Sequence, residues 1–193
     1  MKPFNGYEAK KQVAREPLPA GGYVVKVLDV QELTYSWGSV LEIYFDVVEG
    51  EHRGFFAADY KNQTQEDKKW RGKYRLSEPK DDGSEKDAWT KKTFNGAMFA
   101  FEDSNEGFRW DWDESKLKGK TVGALFRDKE WEKDNRTGWT TECCKLVPVE
   151  DIRQNLFKMP KPKPLAEKPK ASAYAAVSGF EEITDDDELP FKL

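Results

Sequence analysis

Between Val40 and Val48, Leu41, Ile43, Phe45 and Val47 alternate with Glu42, Tyr44 and Asp46. A side-chain period of two belongs to a strand with one face buried and one face outward, and no helix satisfies it. This segment therefore commits the chain to a sheet, and the sheet needs partners. Gly22–Leu33 supplies one: it is rich in β-branched residues and opens after a Pro19-Ala20-Gly21-Gly22 turn, with Trp37-Gly38 as the hairpin loop between the two. His52–Tyr60 is a third strand candidate. Lys69–Leu76 alternates again, with Trp70 and Tyr74 on one side and Arg71, Lys73 and Arg75 on the other. Asp87–Glu102 then switches to helical spacing through Trp89, Phe94, Ala97, Met98 and Phe101. Thr121–Arg127 and Trp139–Val147 read as a closing pair of strands around a polar loop holding Trp131, Asn135, Arg136 and Gly138.

This order predicts a mainly β fold: a small five-stranded antiparallel barrel of the oligonucleotide-binding (OB) type, with one helix between strands 3 and 4. Composition sets its limits. Residues 1–17 form a polar lead-in, and the body spans 18–157. A Pro160-Lys161-Pro162-Lys163-Pro164 run opens a Pro/Lys/Ala-rich linker over 158–179, expected to be extended. Residues 180–193 form an acidic tip of net charge −5, expected to be disordered. With the whole chain at −4, the rest carries +1, and Lys61–Arg75 alone carries +4. A pI near 5.3 is thus compatible with a polyanionic partner, because the distribution of charge matters more than its sum.

Several chemistries find no footing. His52 is the sole histidine, which removes most histidine-based catalysis and multi-histidine zinc sites. Cys143 and Cys144 are neighbours, poorly placed to bridge each other within a strand, and read as core filling. No Walker-type phosphate loop and no nucleophile elbow occurs. No stretch approaches the length of a membrane span, and a reducing bacterial cytoplasm is the expected compartment. The expectation is a non-enzymatic protein without cofactor or metal. Asp81-Asp82, Asp111/Asp113 and Glu130/Glu132 keep a metal-dependent nuclease as an alternative.

Aromatic and basic residues interleave where bases and phosphates would be met together. Single-strand binding without sequence preference stacks bases on aromatic rings while lysine and arginine contact phosphates, each stacked base contributing about 1–3 kcal/mol. The candidate phosphate contacts are Lys61, Lys69, Arg71, Lys73, Arg75 and Arg136. The candidate stacking residues are Trp37, Tyr44, Tyr60, Trp70 and Tyr74. Tyr35, Trp131, Lys133 and Trp139 sit in segments read as loops nearby. Trp110 and Trp112 are flanked by Asp111 and Asp113, which would repel phosphate, and are read as packing residues.

The tip reads Asp185-Asp186-Asp187-Glu188-Leu189-Pro190-Phe191, an acidic run closed by an apolar plug. It resembles the acidic C-terminal tip of bacterial and phage single-stranded DNA-binding proteins. Gly107-Phe108-Arg109-Trp110-Asp111-Trp112, followed by Lys116-Leu117-Lys118-Gly119-Lys120-Thr121-Val122-Gly123, resembles small proteins from phage and integrative-element replication and recombination gene sets. The resemblance implies an OB barrel that coats single-stranded DNA and recruits replication or recombination enzymes through Asp185, Asp186, Asp187, Glu188, Leu189, Pro190 and Phe191. Self-association remains open. In the family the phenylalanine usually ends the chain, whereas Lys192 and Leu193 follow it here. An adaptor or inhibitor that mimics a host protein's tail is the other reading.

Overall fold

The structure, a computed structural model, describes residues 16–166. The acidic tip, the distal linker and most of the lead-in lie outside the described residues. Five strands, β1 (Gly21–Tyr35), β2 (Gly38–Val47), β3 (Lys73–Ser77), β4 (Thr121–Lys133) and β5 (Arg136–Val147), form one antiparallel sheet in the order β3-β2-β1-β4-β5. Three helices accompany them: α1 (Phe55–Asn62), α2 (Glu85–Ser104) between β3 and β4, and α3 (Val149–Arg153). The mainly β expectation with one helix between strands 3 and 4 holds. Hydrogen bonds do not close the barrel, because β3 and β5 end the sheet unpaired with each other. Among the described residues no helix is long and apolar enough to cross a membrane.

The alternation on β2 places Leu41, Ile43, Phe45 and Val47 in the core beside Val25 and Val27 of β1, Leu76 of β3 and Val122 and Phe126 of β4. Helix α2 covers one end of the sheet with Phe94, Ala97, Met98 and Phe101. Ser84 starts it by accepting a hydrogen bond from the Asp87 amide at 3.1 Å. Asn105 ends it: its side chain joins the Phe101 carbonyl to both backbone groups of Thr121, tying the helix end to the start of β4. Helix α3 presses against β1 and β4, so a Cβ on Gly123 would lie 2.6 Å from Ile152.

Three expectations need correction. His52–Tyr60 is no strand: after Gly54, in the left-handed region, Phe55–Asn62 turns as α1. The reason lies on β2, where the buried Asp46 carboxylate accepts the Phe56 and Ala57 amides at 2.9 and 3.1 Å and so caps the helix from a distance. The strand read over Lys69–Leu76 shortens to Lys73–Ser77, because residues before it wrap around buried Gln63, whose side chain receives the Lys69 amide and donates to the Lys69 carbonyl. The polar loop between β4 and β5 contracts to Asp134-Asn135, both at positive φ, the geometry of a tight hairpin turn. Trp131, Arg136 and Gly138 therefore belong to strands with Trp139, on a long β4–β5 arm.

The linker also behaves differently at its start. Beyond Phe126 the β4 edge has lost β1, and the Pro/Lys segment takes its place. The Lys163 amide donates to the Asp128 carbonyl at 2.8 Å, and its carbonyl accepts from Glu130 at 2.9 Å. Prolines at 162 and 164 donate nothing, so this strap caps the edge through one residue.

Candidate nucleic-acid interface

The unpaired edges of β3 and β5 face each other across an open cleft of about 540 Å³, with Trp89 and Thr93 of α2 in its wall. Strand periodicity brings Lys73 and Arg75 to one lip; Arg127 and Lys129 of β4 reach the other. Each pair of cations shares one carboxylate. Glu42 accepts Lys73 Nζ at 2.8 Å and Arg75 Nε at 2.7 Å; Glu142 accepts Arg127 at 2.8 Å and Lys129 at 2.7 Å. Each trio carries a net charge of +1. The carboxylates sit deeper than the cations: the Glu42 side chain is 4% exposed against 36% for Lys73 and 58% for Arg75. The donors not used by the carboxylate stay available to solvent.

The titration behaviour follows. Burial alone would raise the Glu42 carboxyl, but hydrogen bonds from Lys73, Tyr44 and Arg75 outweigh it and hold it at about 2. Burial likewise works against the Glu142 carboxyl and is outweighed by Lys129 and Arg127, so this group is also lowered. Tyr44, half-buried beside Glu42 and donating to it, is pushed up to about 12 by that burial and that bond. Both carboxylates stay ionised through the physiological range and keep their cations side by side.

The expected site residues divide into two groups. Arg71, Lys73 and Arg75 line the cleft, Arg71 also bonding both Asp59 oxygens at 3.2 Å. Lys69 and Trp70 line a contiguous cleft of about 360 Å³ that shares Arg71 and Lys73. Tyr44 lies opposite Lys73 across β2–β3, with Lys73 Nζ 5.8 Å from its ring centre. Trp37 is exposed at the β1–β2 turn and stacks on Tyr35 with centroids 5.1 Å apart and planes 3° apart. Tyr60 and Lys61 end α1, where the Tyr60 ring leans on Trp70 at 5.8 Å and carries Lys68 above it.

Two stacking candidates have structural duties instead. Tyr74, on the inward side of β3, is 8% exposed within the core and offers no face to a base. Trp70 packs against the core while its indole N–H donates to the Phe45 and Gly72 carbonyls, both at 3.0 Å. Arg136 stands exposed at the start of β5, opposite Lys133. The cysteines read as core filling lie against the sheet, Cys143 on the core and Cys144 toward the Leu125 carbonyl, and burial pushes both thiols up.

Arg127, Lys129 and Trp89 were not read from the sequence as site residues, and Trp131 was placed only in a nearby loop. The signal for three of them was present: Arg127, Lys129, Trp131 and Lys133 alternate, so they share one face of the β4 arm once it is a strand. Gly138 stands opposite Trp131, and a Cβ there would lie 2.9 Å from the indole ring. The glycine thus lets the indole lie against the arm, where the residue remains 39% exposed. Among the described residues no three His, Cys, Asp or Glu side chains gather as a metal-holding group. No protein-family model matches the chain, and no curated protein matches its sequence.

Proposed function

We propose that this chain binds single-stranded DNA, without strong sequence preference, along the β3–β5 cleft and the outer face of β2–β3. One observation carries the reading: two cation pairs, Lys73/Arg75 and Arg127/Lys129, confront each other across an open cleft between exposed rings on α2 and on both hairpins. Phosphates would lie between the lips. Bases would stack on Trp131 at one end, on the Tyr35/Trp37 pair at the other, and on Trp89. An open cleft flanked by exposed rings suits a single strand better than duplex, whose base faces are hidden within the stack.

The acidic tip supports a second part of the proposal: recruitment of replication or recombination enzymes through Asp185–Glu188 and the Leu189-Pro190-Phe191 plug, in a phage or mobile-element setting within the bacterial cytoplasm. Asp185, Asp186, Asp187, Glu188, Leu189, Pro190 and Phe191 lie outside the described residues, so this part rests on their sequence.

Titrating tryptophan emission with oligo-dT, with duplex of equal length as control, tests the first part. Stacking predicts quenching by the single strand far beyond that by duplex. Engagement of four phosphates by the four lip cations predicts a logarithmic salt slope of about −3. Equal response to duplex, or none to either, overturns the reading and leaves the tail-mimicking adaptor in its place.

A further inference from the structure

The other flank of α2 carries a second, oppositely charged site. Phe94 on α2 and Trp110 and Trp112 in the following loop form a three-ring cluster, with centroids 6.0–6.1 Å apart in every pair. Trp112 stacks on Phe94 within 11° yet remains 77% exposed, and its φ of 69° is one that bulky residues seldom adopt. The loop holds it there from both sides: the Trp110 amide donates to Glu102 at 2.9 Å, and Asp113 caps the following 3-10 turn through Ser115. Trp112 was read from the sequence as a packing residue, and its exposure corrects that reading.

Behind these rings lies a cavity of about 170 Å³, rimmed by Glu32, Glu78 and Glu114 from three separate elements. None of the three has an ion-pair partner among the described residues, while the other carboxylates of this loop, Asp111 and Asp113, are taken by Lys116. Burial raises the Glu78 carboxyl, and the neighbouring Glu32 and Glu114 raise it further. Three acids therefore converge on a ring-lined cavity without a cation. The Trp110 indole N–H, in the same wall, is buried with no acceptor. Phe99, 60% exposed, extends the apolar surface beyond Trp112.

We propose that this cage receives a basic side chain, arginine or lysine, of a peptide segment from a partner protein, held by Trp112 and Trp110 and by the Glu32/Glu78/Glu114 rim. Aromatic faces attract a desolvated cation through the ring quadrupole, and the carboxylates supply the charge. An apolar residue of the segment beside the basic one would cover Phe99. The acidic rim repels DNA, so this contact and the β3–β5 cleft are served by opposite charges on opposite flanks of α2.

The test uses the full chain with 15N-labelled tryptophan and the peptide acetyl-Ala-Leu-Arg-Ala-Ala-amide as probe. Its neutral counterpart carries citrulline for the arginine. The indole N–H signals of Trp110 and Trp112 should move with the arginine peptide at up to about 10 mM. Affinity should fall roughly five-fold or more with citrulline, in Trp112→Ala and in Glu78→Gln. Trp112→Phe should retain most of it, and the melting temperature of each variant reports whether the fold is kept. No movement of these signals, or equal binding of the citrulline peptide, overturns the proposal. Loss of oligo-dT binding in the same variants would also overturn it, since the two sites are then one.

Discussion

Glu42 is where stability and the proposed binding pull in opposite directions. Its folded carboxyl titrates at about 2, below the ordinary value of 4.5, so its contribution is complete above about 4.5 and is lost as pH falls toward 2. Glu42→Gln should remove up to about 3 kcal/mol at neutral pH and flatten the acid limb of the stability curve, read by denaturant melts at pH 7 and pH 3. The same change frees Lys73 and Arg75, so oligo-dT should bind tighter with a steeper salt slope. Weaker DNA binding by a folded Glu42→Gln variant would assign the two cations to structure alone. Trp131 gives the complementary test: Trp131→Ala should cost about 1–3 kcal/mol of oligo-dT affinity with little change in melting temperature.

At the scale of elements, α1 depends on a capping carboxylate from β2, because its own first turn carries none. Asp46→Asn replaces an acceptor of three backbone amides, and the cost should be about 1–2 kcal/mol in chemical denaturation. A Tm equal to wild type would mean that packing of Phe56 holds the helix unaided. The β4–β5 arm makes a separate prediction. Arg127→Glu with Lys129→Glu should weaken oligo-dT binding at least as much as Arg71→Glu with Lys73→Glu, because both pairs line the cleft. If only the second pair mattered, DNA would keep to the β2–β3 face and leave the cleft empty.

The whole molecule separates its charges: basic lips on one flank of α2, an acidic aromatic cage on the other, and the acidic tip beyond the linker. The strap at Lys163 anchors the start of the linker to the β4 arm. Deleting residues 180–193 should therefore keep or tighten oligo-dT binding by removing a net −5 charge while abolishing enzyme recruitment. A large loss of DNA affinity on truncation, measured by the same fluorescence titration, would contradict that division of labour.

Local pattern was enough for β2 and the long helix. Alternation over Leu41–Val47 and helical spacing over Phe94–Phe101 each encode which face is buried, because the period of the side chains is a property of the backbone alone. The Arg71/Lys73/Arg75 face was legible for the same reason. What the sequence could not give was anything decided by a partner distant along the chain. Asp46 turns Phe55–Asn62 into a helix, and the Tyr74 ring is spent on the core. Arg127 and Lys129 line the cleft only because the curled sheet brings β4 and β5 across from β3. The acid-rimmed cage is assembled from β1, the end of β3 and the loop after α2, which no spacing in the sequence relates. Closure of the sheet edge was decided late as well: whether β3 and β5 pair or leave a cleft depends on the side chains held between them, a property of packing and not of period.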